Sequence, residues 1–259
     1  MTTPRGQKHR LRPDVAAAIE RAWPDGVIEM CFDSEESWFW DVHPKLAGAF
    51  HRLHGASLLY QHEAEETRSW TDEDDDDDDP PCPEPSRSYH LFFVAPQDDA
   101  FTFETTTETE AEPEFDEYGH QEFDSDAEMI TVPGRGHTGW SVAVSLIAPF
   151  AAISLSDYAV FEDGSNWQPA IRRYVEDNDG NPVNPEDAFR EAHGQQLFQK
   201  LDKLRTRIVG ILEKHGVTVL PEAELHKAVP WLKGDGEALV GDAVNQPISV
   251  FDAFFFEGI

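Results

Sequence analysis

Several short stretches of the chain hold residues of the kind that do chemistry, and each departs from the pattern that its chemistry requires. In VEDNDGNPVNPE, residues Asp177, Asp179, Gly180 and Glu186 match positions three, five, six and twelve of an EF-hand calcium loop. Position one is then Val175, which offers no side-chain oxygen. A plainer reading covers the same residues. Asp179-Gly180 makes a turn, Asn184 caps a helix, Pro185 suits its first position, and Glu186 and Asp187 favour its positive end. Of the 11 histidines, His51 and His54 are three apart and His62 and Glu66 four apart, but no H-E-x-x-H occurs. His43, His51 and His54 read as surface or groove residues of a helix.

PGRGHTGWS, residues 133–141, sets three glycines around Arg135 and His137. A phosphate loop requires Lys followed by Ser or Thr, and then a helix. Here an apolar strand follows, so the expectation is a glycine-rich hairpin connection with Arg135 and His137 at its tip. GWSVAVS lacks the second glycine of a nucleophile elbow. Cys31 lies in an apolar run, and Cys82 sits among prolines and aspartates, whose charge makes a thiolate scarce. Two cysteines supply neither a disulfide framework nor a four-thiolate metal site. The reading therefore assigns no catalytic residue, no metal site and no cofactor.

Charge is the strongest signal. The 259 residues carry a net charge of −31. Between His62 and Glu128 there are 25 acids and two bases, Arg68 and Arg87, so this segment holds −23 and the rest of the chain −8. Such a localised field repels nucleic acid and anionic lipid and attracts basic proteins. The N-terminal MTTPRGQKHRLRPD is basic, but no apolar stretch of signal-peptide type follows it, and no run approaches a membrane span. A soluble cytoplasmic protein is expected.

The elements that would position these residues follow from periodicity. A single domain over 1–259 is expected, with a loose basic arm at 1–12. DVAAAIERAW reads as a helix ending at Pro24 and Gly26, VIEMCF as a strand, and SWFWDV as a strand or a helix start. PKLAGAFHRL has helical spacing up to Gly55. Residues 69–87, with six consecutive aspartates and four prolines, read as an exposed, disordered loop. YHLFFVAP (89–96) and AFTFETTTETEA (100–111) read as strands, and residues 112–128 as a second acidic loop. Strands are expected at 129–132, 140–148 and 150–161, and one helix from Pro185 to about Lys214. The class is α+β: a central, mostly antiparallel sheet with helices packed at one side, plus acidic loop insertions.

Two stretches, GWSVAVSLIAP in the central sheet and the closing PWLKGDGEALVGDAVNQPISVFDAFFFEGI, resemble the single-domain α+β immunity proteins of bacterial polymorphic toxin systems. The resemblance implies neutralisation of a cognate toxin, often a nuclease, by covering its active site or substrate groove. Composition points to the same kind of partner on separate grounds, since closely spaced carboxylates imitate nucleic-acid phosphates. The expected partner-binding residues are the carboxylates Asp74, Asp75, Asp76, Asp77, Asp78, Asp79, Glu108, Glu110, Glu112, Glu114, Asp116 and Glu117. Trp70, Phe115, Tyr118 and Phe123 are the aromatic anchors, with Arg135 and His137 beside them. The partner is a basic protein, not nucleic acid or membrane, and the chain itself is a monomer or dimer. Alternatives are a metal-assisted hydrolase drawing on loop acids and histidines, and a scaffold subunit of a larger assembly. Excising residues 72–79 should leave one cooperative melting transition, because the tract holds no apolar side chain to bury; calorimetry showing that transition lost would make the loop structural.

Overall fold

The computed structural model describes residues 10–28, 37–61, 88–110, 129–171, 174–176, 180–234 and 247–255. The acidic tract 69–87, residues 1–9 of the basic arm, the acidic segment 112–128 and both cysteines lie outside them. Among the described residues, no helix is long and apolar enough to cross a membrane.

The chain is α+β, with a mostly antiparallel sheet. Its core is β5 (Met129–Ser145), flanked by β6 (Phe150–Phe161) on one side. On the other side run β3 (Tyr89–Pro96) and then β4 (Thr102–Glu110). Both pair antiparallel with β5, so β3 and β4 form one path along it, broken by a 3-10 turn at Asp99–Phe101. Outside β3 lies β2 (Ala56–Gln61), with a register shift between Leu58 and Tyr60. Beyond β6, β10 (Thr218–Val219) pairs in parallel at one end and β7 (Asn166–Trp167) in antiparallel at the other. Strand β2 falls in a segment where periodicity predicted helix only to Gly55 and left the following residues unassigned. The helix ends at His51, and Gly55, at φ +72°, turns the chain into the strand.

From Trp140 to Ser145, every residue of β5 is buried. Alternate side chains therefore need cover on two faces. One face, with Phe92, Trp140 and Val142, packs against α2 (His43–His51), α3 (Pro185–His193) and α4 (Gln195–Lys214). These are the helices at one side that the sequence led us to expect, and Leu201, Leu204, Ile208 and Leu212 form the contacting stripe of α4. The Trp140 indole N–H donates to the Leu201 carbonyl at 2.9 Å, tying α4 to the strand. The other residues, among them Leu91 and Ala143, are covered by α1 (Pro13–Ala22) and α6 (Val250–Phe254). Trp23, just past α1, donates to the Ala253 carbonyl at 3.1 Å. The remaining described elements are a 3-10 turn at Trp38–Asp41, the short pairs β1 (Val27–Ile28) with β11 (Lys233–Gly234) and β8 (Val175–Glu176) with β9 (Pro182–Val183), and α5 (Glu222–Leu225).

Two expectations are corrected. The single helix from Pro185 to Lys214 is two helices, because Gly194 takes φ +82° and turns the chain between α3 and α4. Residues 133–139 are not a hairpin connection: they are the middle of one continuous strand of 17 residues. The glycines do not bend it. They make room for neighbours that cross it. A Cβ on Gly134 would stand 2.4 Å from the Phe161 ring, and one on Gly136 would stand 2.2 Å from the Phe103 ring. A Cβ on Gly139 would meet main chain, with the Val94 carbonyl oxygen at 2.6 Å. A ring can swing aside and a paired strand cannot. Gly139→Ala should therefore destabilise the fold by about 1–3 kcal/mol, and by more than Gly136→Ala, in chemical denaturation; equal losses would show that ring and main-chain contacts are interchangeable here.

Candidate functional site

Of the expected partner-binding residues, Trp70, Asp74 to Asp79, Glu112, Glu114, Phe115, Asp116, Glu117, Tyr118 and Phe123 lie outside the described residues. The others come together. β4 pairs residue by residue with the outer half of β5: Thr102 faces His137, Glu104 faces Arg135, Thr106 faces Pro133, Glu108 faces Thr131, and Glu110 faces Met129. Paired residues share a face of a sheet. Arg135 and His137 therefore stand in one row with Glu104 and Glu108 across from it. Arg135 and His137 are thus strand residues on a sheet face, not the tip of a loop, and the correction moves them next to the acids.

The sequence signal for this face was the alternation of TFETTTETE. Glu104, Thr106 and Glu108 are exposed, while Phe103, Thr105 and Thr107 turn partly inward. Glu104 was missed as a site residue, although the same alternation places it with Glu108. Among the described residues β4 has β5 as its one strand neighbour. Arg135 lies 3.5 Å from the exposed carboxylate of Asp99, and so part of its charge is met within the protein. Burial lowers the pKa of His137, and the neighbouring Arg135 guanidinium lowers it further. Near neutral pH, His137 is therefore neutral and adds no positive charge to the acidic face.

The basic stripe of α4 is largely bound up with the protein's own oxygens. Lys200 contacts Asp98 at 2.6 Å, Arg205 contacts Glu186 at 3.0 Å, and Arg207 donates to the His54 carbonyl at 2.8 Å. The Lys200 hydrogen bond holds the Asp98 carboxyl below the ordinary carboxylate range. Glu186, the twelfth residue of the EF-hand comparison, also receives Arg190 at 3.0 Å. The Asn184 side chain accepts from the Glu186 amide at 2.9 Å, so the helix-start reading of this stretch is the one that the structure shows. Gly180, at φ +78°, turns the chain between β8 and β9.

Among the described residues, no three His, Cys, Asp or Glu side chains gather as a metal set would. His51 and His54 are exposed. His43 packs into an aromatic group with Phe39, Phe92 and His90, its ring 4.5 Å from that of His90. His90 is 2% exposed in the middle of the YHLFFVAP strand and was not singled out from sequence. A lone polar residue in an apolar run was the available signal. Comparison of the chain with family models, with curated proteins and with solved structures returned no match.

Burial lowers the His43 pKa below its ordinary 6.5, so the folded protein holds this ring neutral while the unfolded chain protonates it near that value. The resulting stabilisation is complete above pH 6.5 and is lost as pH falls through the lower folded value. Between pH 7.5 and 5, about the range in which histidine titrates, the melting temperature of the wild type should fall more steeply than that of His43→Phe. Parallel curves would show that His43 does not titrate differently in the two states.

Proposed function

We propose that this chain is an acidic protein-binding protein of the immunity or inhibitor type, which acts in the cytoplasm and neutralises a basic partner by covering that partner's active site or substrate groove. A nuclease toxin is the partner class that fits best, because a surface that binds phosphates also binds ordered carboxylates. The observation that supports this reading is the β4–β5 face: exposed Glu104 and Glu108 on an outermost strand, in register with an Arg135 already paired to Asp99. The segments on either side of this strand in the chain carry most of the −23 found between His62 and Glu128.

The physics sets what such a face can do. Exposed carboxylates contribute little affinity one by one. In a group they raise the encounter rate with a cationic surface and orient it, and this effect is screened over about 10 Å at 0.1 M salt. Final affinity has to come from buried apolar anchors at the centre of the contact. Co-purification followed by mass spectrometry names the partner, and surface plasmon resonance then measures the pair. Raising salt from about 50 to about 300 mM should weaken binding by about tenfold or more, chiefly through the association rate. Glu104→Lys with Glu108→Lys should slow association by a similar factor while leaving the melting temperature close to that of the wild type. Affinity indifferent to both ionic strength and charge reversal overturns the proposal.

A further inference from the structure

The outer edge of β6 has a gap. At one end β10 pairs with Phe150 and Ala151, and at the other β7 pairs with Ala159 and Val160. Among the described residues, no strand lies beside the stretch between them. The direction of its main-chain groups follows from those at its ends. The Pro149 and Ala151 carbonyls accept from Thr218 and Leu220 of the β10 segment, each at 2.9 Å, and the Phe161 amide donates outward to the Ser165 carbonyl at 2.9 Å. Main-chain groups alternate sides along an antiparallel strand. The N–H and C=O groups of Ile153 and Leu155 therefore also face outward, into the gap.

Among the described residues, the chain passes this edge without completing the ladder. Where it comes nearest, the Ser154 hydroxyl donates to the Ala170 carbonyl at 3.4 Å, and the Ala170 amide donates to the Ser156 hydroxyl at 3.3 Å. Both contacts are made by side chains of β6 and leave its outward main-chain groups without a described strand partner. A cleft of about 570 Å³, open mouth included, lies over the unpaired edge, with Leu220, Leu225 and Phe251 as apolar wall. Its lining also includes the polar or charged Asn184, Glu186, Arg205, Glu222 and His226.

Charge in the cleft selects what it takes. Glu186 is held by Arg190 and Arg205, both permanent cations. Glu222 is not matched in this way. It accepts from the neutral Asn184 amide at 3.2 and 3.3 Å and lies 3.6 Å from His226, which is charged only when protonated. Its side chain is 60% exposed. The cleft thus sets outward main-chain groups that no described strand pairs beside an apolar wall and the exposed Glu222 carboxylate.

We infer that this gap is a strand-addition site for an extended, basic segment of a partner polypeptide. The segment forms main-chain hydrogen bonds with Ile153 and Leu155, lays the aliphatic stem of an Arg or Lys along Leu220, Leu225 and Phe251, and brings its cation to Glu222. Strand addition draws affinity from the main chain and selectivity from alternate side chains. The contact proposed runs from Ile153 to Leu155, and at about 3.3 Å per residue a segment of about three residues covers it. The inference rests on the protein-binding reading and adds to it the chemistry of one contact.

The test uses the full chain and the capped peptide acetyl-Val-Arg-Val-amide, followed by amide hydrogen exchange and by chemical-shift titration. In the free protein the Ile153 and Leu155 amides should exchange quickly, and saturating peptide should slow both by about fivefold or more. A peptide N-methylated on its main chain should give no protection. Replacing Arg by its neutral isostere citrulline should weaken binding to the wild type by several-fold, yet make little difference to binding by Glu222→Gln. Slow exchange of both amides before peptide is added would mean that the edge is already occupied, and would overturn the inference. So would undiminished binding of the N-methylated peptide, or an affinity unchanged by Glu222→Gln. None of these outcomes involves β4, so a failure here leaves the salt-dependent capture of a basic partner standing or falling on its own measurement.

Discussion

Strand β5 is buried on both faces from Trp140 to Ser145, and this sets the form of the molecule. A strand apolar on one side needs one layer of cover, whereas this one needs two. Its immediate neighbours β3 and β6 share the requirement, so helices from distant parts of the chain come to both faces. Trp140 meets α4 on one face, and Ala143 meets the group around α1 and α6 on the other. Each large side chain fully buried in this way is worth about 1.5–3 kcal/mol, the scale on which a chain of this charge can remain folded. A net charge of −31 opposes any compact state through self-repulsion, and the core must outweigh it.

The same strand also carries the acidic face. β5 is longer than the core it crosses, and its first half extends past the covering helices with β4 beside it. Burial and exposure thus divide along one strand, and the glycines at 134, 136 and 139 let aromatic rings and main chain cross it closely on the way. Carboxylates at Glu104 and Glu108 on the outermost strand also oppose edge-to-edge pairing with a second copy of the chain, since like charges would be brought opposite one another. One feature therefore keeps the face open and gives it its sign.

Distribution of charge, more than its total, separates the two halves of the molecule. The bases of α4 are largely taken up by Asp98, Glu186 and the His54 carbonyl, and so the helical side has little net field to offer. Each of these contacts is partly exposed and contributes little to stability. Their effect is to leave Glu104 and Glu108 of β4 as exposed carboxylates away from these bases.

The sequence by itself determined the class of fold, most of the elements and the sign of the surface. Alternating and continuous apolar runs identify β3, β4 and β6 without any knowledge of their partners, and Asn184-Pro185 marks a helix start by local main-chain chemistry. The neutral reading of DNDGNPVNPE was equally legible, because turns and caps depend on neighbours in the chain. Contacts across the sheet were not. Whether the glycines of PGRGHTGWS bend a chain or admit a ring depends on Phe103 and Phe161, which are distant in sequence. A break in a helix at Gly194, the burial of His90, the row formed by Glu104 and Arg135, and the edge of β6 beside Glu222 that no described strand fills likewise belong to pairs that only the folded chain brings together. Local propensity acts over a few residues, whereas register and burial are decided by which strand lies alongside, and that was the contribution of the tertiary structure.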